Sequence, residues 1–145
     1  MKSSPVFCRR FLMVGAVVMI SVALVLALGV IQPVQAEVAR GATPEKAVVA
    51  FWVNIGLNVV SALVLFSCAV SARGLGWTSK STLIFVGLVV MLLGFALADA
   101  GSAYLSHGPA MHSASIILFI CSAADILAGA LVIGTAIMFP RKGAA

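Results

Sequence analysis

Few residues in this chain could do chemistry, and most of them lie inside hydrophobic sequence. Asn54, Asn58, Ser61 and Cys68 follow one another at intervals of four, three and seven. That spacing keeps them on one side of a helix, with Leu65 completing the stripe. Ser115, Ser122, Asp125 and Gly129 form a similar stripe, and Asp99 and Ser102 stand beside a face made by Gly87, Gly94, Ala98 and Gly101. Amides, hydroxyls and carboxyls in apolar surroundings have three uses. They hydrogen-bond between helices and fix packing, they pass a proton or ion, or they point outward to a partner subunit or cofactor. Packing is the expected role here, with the ion path as the alternative.

A second group is His107, Met111 and His112, in the segment Ser-His-Gly-Pro-Ala-Met-His. Imidazole with thioether suits copper. Two histidines still fall short of a full ligand set, so no metal is expected and these three are weak candidates only. A haem held by two histidines is excluded, because both occupy one loop at one level.

The elements that must carry these residues are four apolar stretches, Phe11–Ile31, Ala47–Val70, Ser81–Leu105 and Ser113–Phe139. Each exceeds the roughly 20 residues that a helix needs to cross a hydrocarbon core about 30 Å thick. Hydrophobic residues are 63% of the 145, charged residues only 9%, and the mean hydropathy is +1.21. A soluble domain has about a quarter of its residues charged, so that class is excluded. The expected fold is all-α: one polytopic membrane domain over 1–145, with four transmembrane helices in a compact antiparallel bundle. The lipid bilayer is its first partner.

Charge placement orients the bundle. Lys2, Arg9 and Arg10 precede the first span, Arg73 and Lys80 separate the second and third, and Arg141 and Lys142 follow the fourth. The other side has only Arg40 and Lys46, offset by Glu37 and Glu45. The positive-inside rule therefore puts both termini in the cytoplasm, as expected for a bacterial inner-membrane protein. The net charge of +5 comes from these scattered topology signals and not from a basic stripe, so no nucleic-acid partner is expected. The first span has a competing reading as a signal peptide, with Val34-Gln35-Ala36 as a cleavage site. Its 21-residue run exceeds the usual 7–15 of a signal peptide, which favours a retained helix.

Local signals mark the boundaries. Thr43-Pro44-Glu45 reads as an N-cap, a first-turn proline and a first-turn acid for the second span. Ser79 or Ser81 could cap the third span, and His112-Ser113 could open the fourth. Gly74 and Gly76 loosen one turn, Gly108-Pro109 forces another, and Pro140 ends the last helix. Gly108-Pro109 makes the third and fourth spans antiparallel neighbours. Trp77 and Tyr104 sit where interfacial aromatics belong, and Trp52 could serve likewise or pack inside.

Depth follows from the 1.5 Å rise per residue. Asn54 and Asp99 both lie roughly 10 Å below the outer helix ends, while Asn58 and Asp125 lie roughly 16–18 Å below them. The levels predict two interhelical pairs, Asn54–Asp99 and Asn58–Asp125. No Lys or Arg lies within a span, so neither acid has an ionic partner there. Asp125 is expected to be protonated or bonded to an amide or serine, since an ionised carboxylate costs about 2.5–3.5 kcal/mol at mid-membrane.

Cys8, Cys68 and Cys121 form no CxxC and no disulfide framework, though Cys8 could be acylated beside its span. No nucleophile elbow, phosphate loop or metalloprotease motif occurs, so the chain is not expected to be an enzyme or to carry a cofactor. Length and span number resemble the small multidrug exporters, but the first span lacks the acid that their mechanism requires. The expectation is a non-catalytic accessory subunit bound to other membrane subunits or to itself. The alternative is a small oligomeric transporter or channel using Asp125 and Asn58.

Overall fold

Heptad spacing on every long segment becomes a bundle of long helices. The computed structural model describes residues 5–71 and 77–138, so Gly74, Gly76 and Pro140 lie outside the described residues. The elements are α1 (Pro5–Gly29), α2 (Ile31–Ala39), α3 (Lys46–Ser71), α4 (Trp77–Leu105) and α5 (His112–Met138), with a 3-10 turn at Pro109–Met111. No strand occurs among the described residues. Four segments are long and apolar enough to cross a membrane: Val6–Ala39, Lys46–Val70, Ser79–Leu105 and Pro109–Met138. The protein is therefore an all-helical, four-span membrane protein.

Buried residues recur at alternating threes and fours, for example Leu83, Gly87, Val90, Gly94, Leu97, Gly101 and Tyr104 on α4. This is the seam of left-handed, knobs-into-holes packing. α4 and α5 form the tightest pair, α1 packs against both α3 and α5, and α3 and α4 meet only sparsely. The order around the bundle is therefore α3, α1, α5, α4, with a partly open seam between the last and the first.

Small residues explain why α4 and α5 approach so closely. A Cβ on Gly87 would sit 2.8 Å from the Gly129 carbonyl, and one on Gly94 would sit 2.9 Å from the Ser122 carbonyl. Without a hydrophobic drive between lipid-dissolved helices, such backbone contact is a main source of association. The turn between them runs through Gly108 at φ +98°, a conformation that glycine adopts without strain. The Met111 amide then closes the 3-10 turn on the Gly108 carbonyl at 3.1 Å.

Four local expectations are corrected. The connection after the first span is not simple loop, because α2 continues from α1 with one break at Val30. Pro33 has no N–H to give the Gly29 carbonyl four residues back, and the helix is interrupted there. Thr43 does not cap α3; its buried hydroxyl lies beside Tyr104 without a hydrogen bond of ordinary geometry, and the first turn is closed by Ala47 N–H to Pro44 O at 3.0 Å. α4 begins at Trp77, so Ser79 and Ser81 lie within the helix rather than at its cap. Tyr104 is buried (6% exposed) and stacked on Phe51 at 6.4 Å, not splayed into the interface. α2 contributes Ile31 and Val34 to the same cluster and covers it. Trp52, by contrast, faces outward.

Candidate functional site

Two apolar clusters fill the bundle. One is built around Leu12, Leu65, Leu83 and Val132, the other around Leu26, Val34, Leu97 and Leu118. The polar residues lie between them. Asn58 and Asp125 are fully buried, and Asn54, Ser61 and Ser122 are nearly so.

Asn58 is the centre of this layer. Its Nδ2 donates to Asp125 Oδ2 at 3.2 Å, to Asn54 Oδ1 at 3.0 Å and to the Asn54 carbonyl at 3.2 Å. Asn54 Nδ2 in turn donates to the Leu93 carbonyl on α4 at 3.4 Å. The network thus joins α3 to both α4 and α5, and the Asn58–Asp125 bond crosses the bundle between helices that are not direct neighbours. Asn58 Oδ1 and Asp125 Oδ1 are buried without partners. Gly94 makes room for this layer, since a Cβ there would lie 3.1 Å from Asp125 Cβ. Nearer the α4–α5 connection, Ser115 donates to the Gly101 carbonyl at 2.7 Å and ties α5 to α4 again.

The anticipated Asn54–Asp99 pair does not form. Asp99 is exposed, and Asn54 bonds instead to a carbonyl six residues deeper on α4. Asp99 lies two residues from Gly101, about 200° around the axis at 3.6 residues per turn, and so points away from the packed face.

His107, Met111 and His112 diverge. Met111 is fully buried in the cluster around Leu97 and Leu118, and His112 is exposed at the start of α5. His107 places Nδ1 3.5 Å from Glu37 Oε2. Among the described residues no three His, Cys, Asp or Glu side chains converge on a metal position. Cys8 and Cys121 are buried and Cys68 is half-buried; complete burial of Cys8 removes the case for acylation there.

No known family, curated protein or solved structure matches this chain.

The α2 end of the bundle holds a second polar group that helical spacing within the spans does not reveal. Glu37 is buried (5% exposed), paired with Arg40 one turn on and with His107 from the α4–α5 connection. The signal for it is Ile31, Val34 and Glu37 at intervals of three, one face of a helix that a loop reading hides. Beside this group a cleft of about 400 Å³ opens between α3 and α4 where they part. Thr43, Tyr104 and His107 line the part nearest α2, and Asn54 brings the central network to its other end.

Proposed function

We propose that this protein is a non-catalytic accessory subunit of a larger membrane complex, docking through the outward face of α4. One observation carries the reading: Asp99 is exposed on a face otherwise made of Phe85, Leu88, Leu92 and Phe95. Asp99 lies about 9 Å inside the outer helix end. A carboxylate facing lipid is costly, by about 2.5–3.5 kcal/mol at mid-membrane and less toward the interface. No partner for it is present among the described residues. A donor on a neighbouring helix, basic or amide, relieves that cost. Ser102, one turn further out, is exposed on the same side. The charge distribution supports a bacterial cytoplasmic membrane with both termini inside, so that Asp99 meets its partner near the outer leaflet.

The test is purification from the native host in mild detergent, combined with a photo-crosslinking residue at Phe95 on α4 or at Leu63 on α3. The reading expects one partner in fixed ratio, linked from position 95 and not from 63, and lost in Asp99→Leu while the bundle melts unchanged. A chain that leaves the membrane alone, or only with copies of itself, overturns it.

A second reading, a small transporter or channel, is favoured by the unpartnered oxygens of Asp125 and Asn58 at the bundle centre. Proton-coupled flux in reconstituted vesicles that vanishes in a well-folded Asp125→Asn protein would select it.

A further inference from the structure

We propose that the cleft between α3 and α4 is a binding site for a neutral, ring-headed membrane lipid. Its ligand would have a flat apolar ring system with a carbonyl or hydroxyl oxygen, the shared chemistry of isoprenoid quinones and polycyclic sterol-like lipids. This goes beyond the subunit reading and does not rest on it, because the cleft does not include Asp99.

Four observations converge. The space is about 400 Å³, within the roughly 300–1,000 Å³ range of small-molecule sites. Thr43 lines it and is 8% exposed, and its buried hydroxyl lies beside Tyr104 without a hydrogen bond of ordinary geometry. A buried hydroxyl without a well-formed hydrogen bond is costly, and a ligand oxygen would recover that cost. The stacked Phe51 and Tyr104 rings form part of the wall, and Ala47, Ala50, Ala96 and Ala100 leave flat, shallow surfaces on either side. Rings pack on such surfaces with little loss of conformational freedom.

Charge decides the headgroup. No Lys or Arg is among the lining residues, and Arg40, close by in sequence, is paired with Glu37. The lining would therefore offer a phosphate head hydroxyls and an imidazole with an acid behind it; Lys46, between Pro44 and Ala47 in the chain, is exposed and does not line the cleft. His107 Nδ1 is turned to Glu37, which leaves Nε2 for a hydroxyl or water. The neighbouring groove between α1 and α3, about 460 Å³, lacks this equipment. Its one hydroxyl, on Ser21, already donates to the Val17 carbonyl at 2.8 Å. It serves as an internal control.

The experiment places the full chain in phosphatidylcholine–phosphatidylglycerol nanodiscs and titrates decylubiquinone or cholesterol. Thermal melting and native mass spectrometry are the readouts. The expected result is a saturable rise in Tm and one retained ring lipid per chain, with decylubiquinone identifying a carbonyl head and cholesterol a hydroxyl head. Thr43→Val should weaken binding about three- to tenfold, the equivalent of one neutral hydrogen bond. Ala103→Phe, at an exposed cleft position, should abolish binding with the unliganded melt preserved; Ala96→Phe is the second blocking variant should the first fail to fold. Val17→Phe, in the control groove, should leave binding intact. Retention of neither ring lipid, retention of phosphatidylglycerol alone, or unchanged binding in the blocking variants overturns the proposal.

Discussion

Asn58 on α3 and Asp125 on α5 are hydrogen-bonded at 3.2 Å across the bundle, between helices whose backbones do not pack side by side. The bond ties together two halves otherwise joined mainly through α1. Asp125→Asn keeps size and hydrogen-bonding capacity, so it should fold and melt near the parent protein. Asp125→Leu removes the cross-bundle acceptor and leaves the Asn58 amide only Asn54 on its own helix, so it should lower stability by about 0.5–1.5 kcal/mol, read as a lower Tm in detergent. A double-mutant cycle with Asn58→Leu should return a coupling of about 0.6 kcal/mol, the average for interhelical polar pairs in lipid, and no more than about 1.7 kcal/mol. A coupling of zero would mean that the two side chains only share a layer.

The α4–α5 interface makes a sharper demand. Gly129→Val and Gly87→Val each put a side chain where the Cβ alone meets the opposing carbonyl at 2.5–2.8 Å. Each should cost at least the 1–3 kcal/mol typical of overpacking, because backbone cannot rotate aside as a side chain can. Gly56 is exposed, and a methyl added there meets nothing within 4 Å, so Gly56→Ala should be neutral or slightly stabilising. Equal Tm losses at all three positions would refute close backbone packing as the cause.

At the α2 end of the bundle, Glu37 holds Arg40 and His107 together while lying nearly out of solvent. Arg40 itself is exposed, so Arg40→Ala should change stability by no more than about 1 kcal/mol. Glu37→Ala should do more, releasing α2 from the α4–α5 connection. Proteolysis or hydrogen exchange across residues 31–45 should accelerate in the Glu37 variant well beyond that in the Arg40 variant. The opposite order would make Arg40 the organising residue.

These outcomes bear on what a single sequence makes visible. The seven-residue intervals Gly87–Gly94–Gly101 and Ser115–Ser122–Gly129, with Asp125 in between, are independent of where a helix starts. They mark the packed faces of α4 and α5 directly, and the Asn54–Asn58–Ser61 stripe does the same for α3. Asp99 escapes the expected pairing because depth from the helix ends says nothing of angle around α4; its distance from Gly101 already places it on the far side. α2 is hidden in the sequence because Pro33 and the mixed polarity of Gln32, Gln35 and Glu37 resemble a loop, whereas a proline in the first helical turn displaces no internal bond. The parting of α3 from α4, and with it the cleft, depends on which faces meet. No single helix carries that information.

Orientation is tested by labelling. Arg40→Cys and Lys142→Cys place thiols on opposite sides if the basic residues set the topology. Cys8 and Cys121 are buried, so only half-buried Cys68 needs replacing to silence the background. A membrane-impermeant maleimide added to intact cells should modify position 40 and leave position 142 unreacted until the cells are opened. Position 40 is a sound reporter because Arg40 is exposed, and its loss removes only one of the two groups on Glu37. The outcome also decides which leaflet Asp99 and the cleft mouth face, since both lie toward the end of α4 near α2. Reaction at 142 from outside would invert the protein, and any partner or lipid would then have to approach Asp99 and Thr43 from the cytoplasmic leaflet.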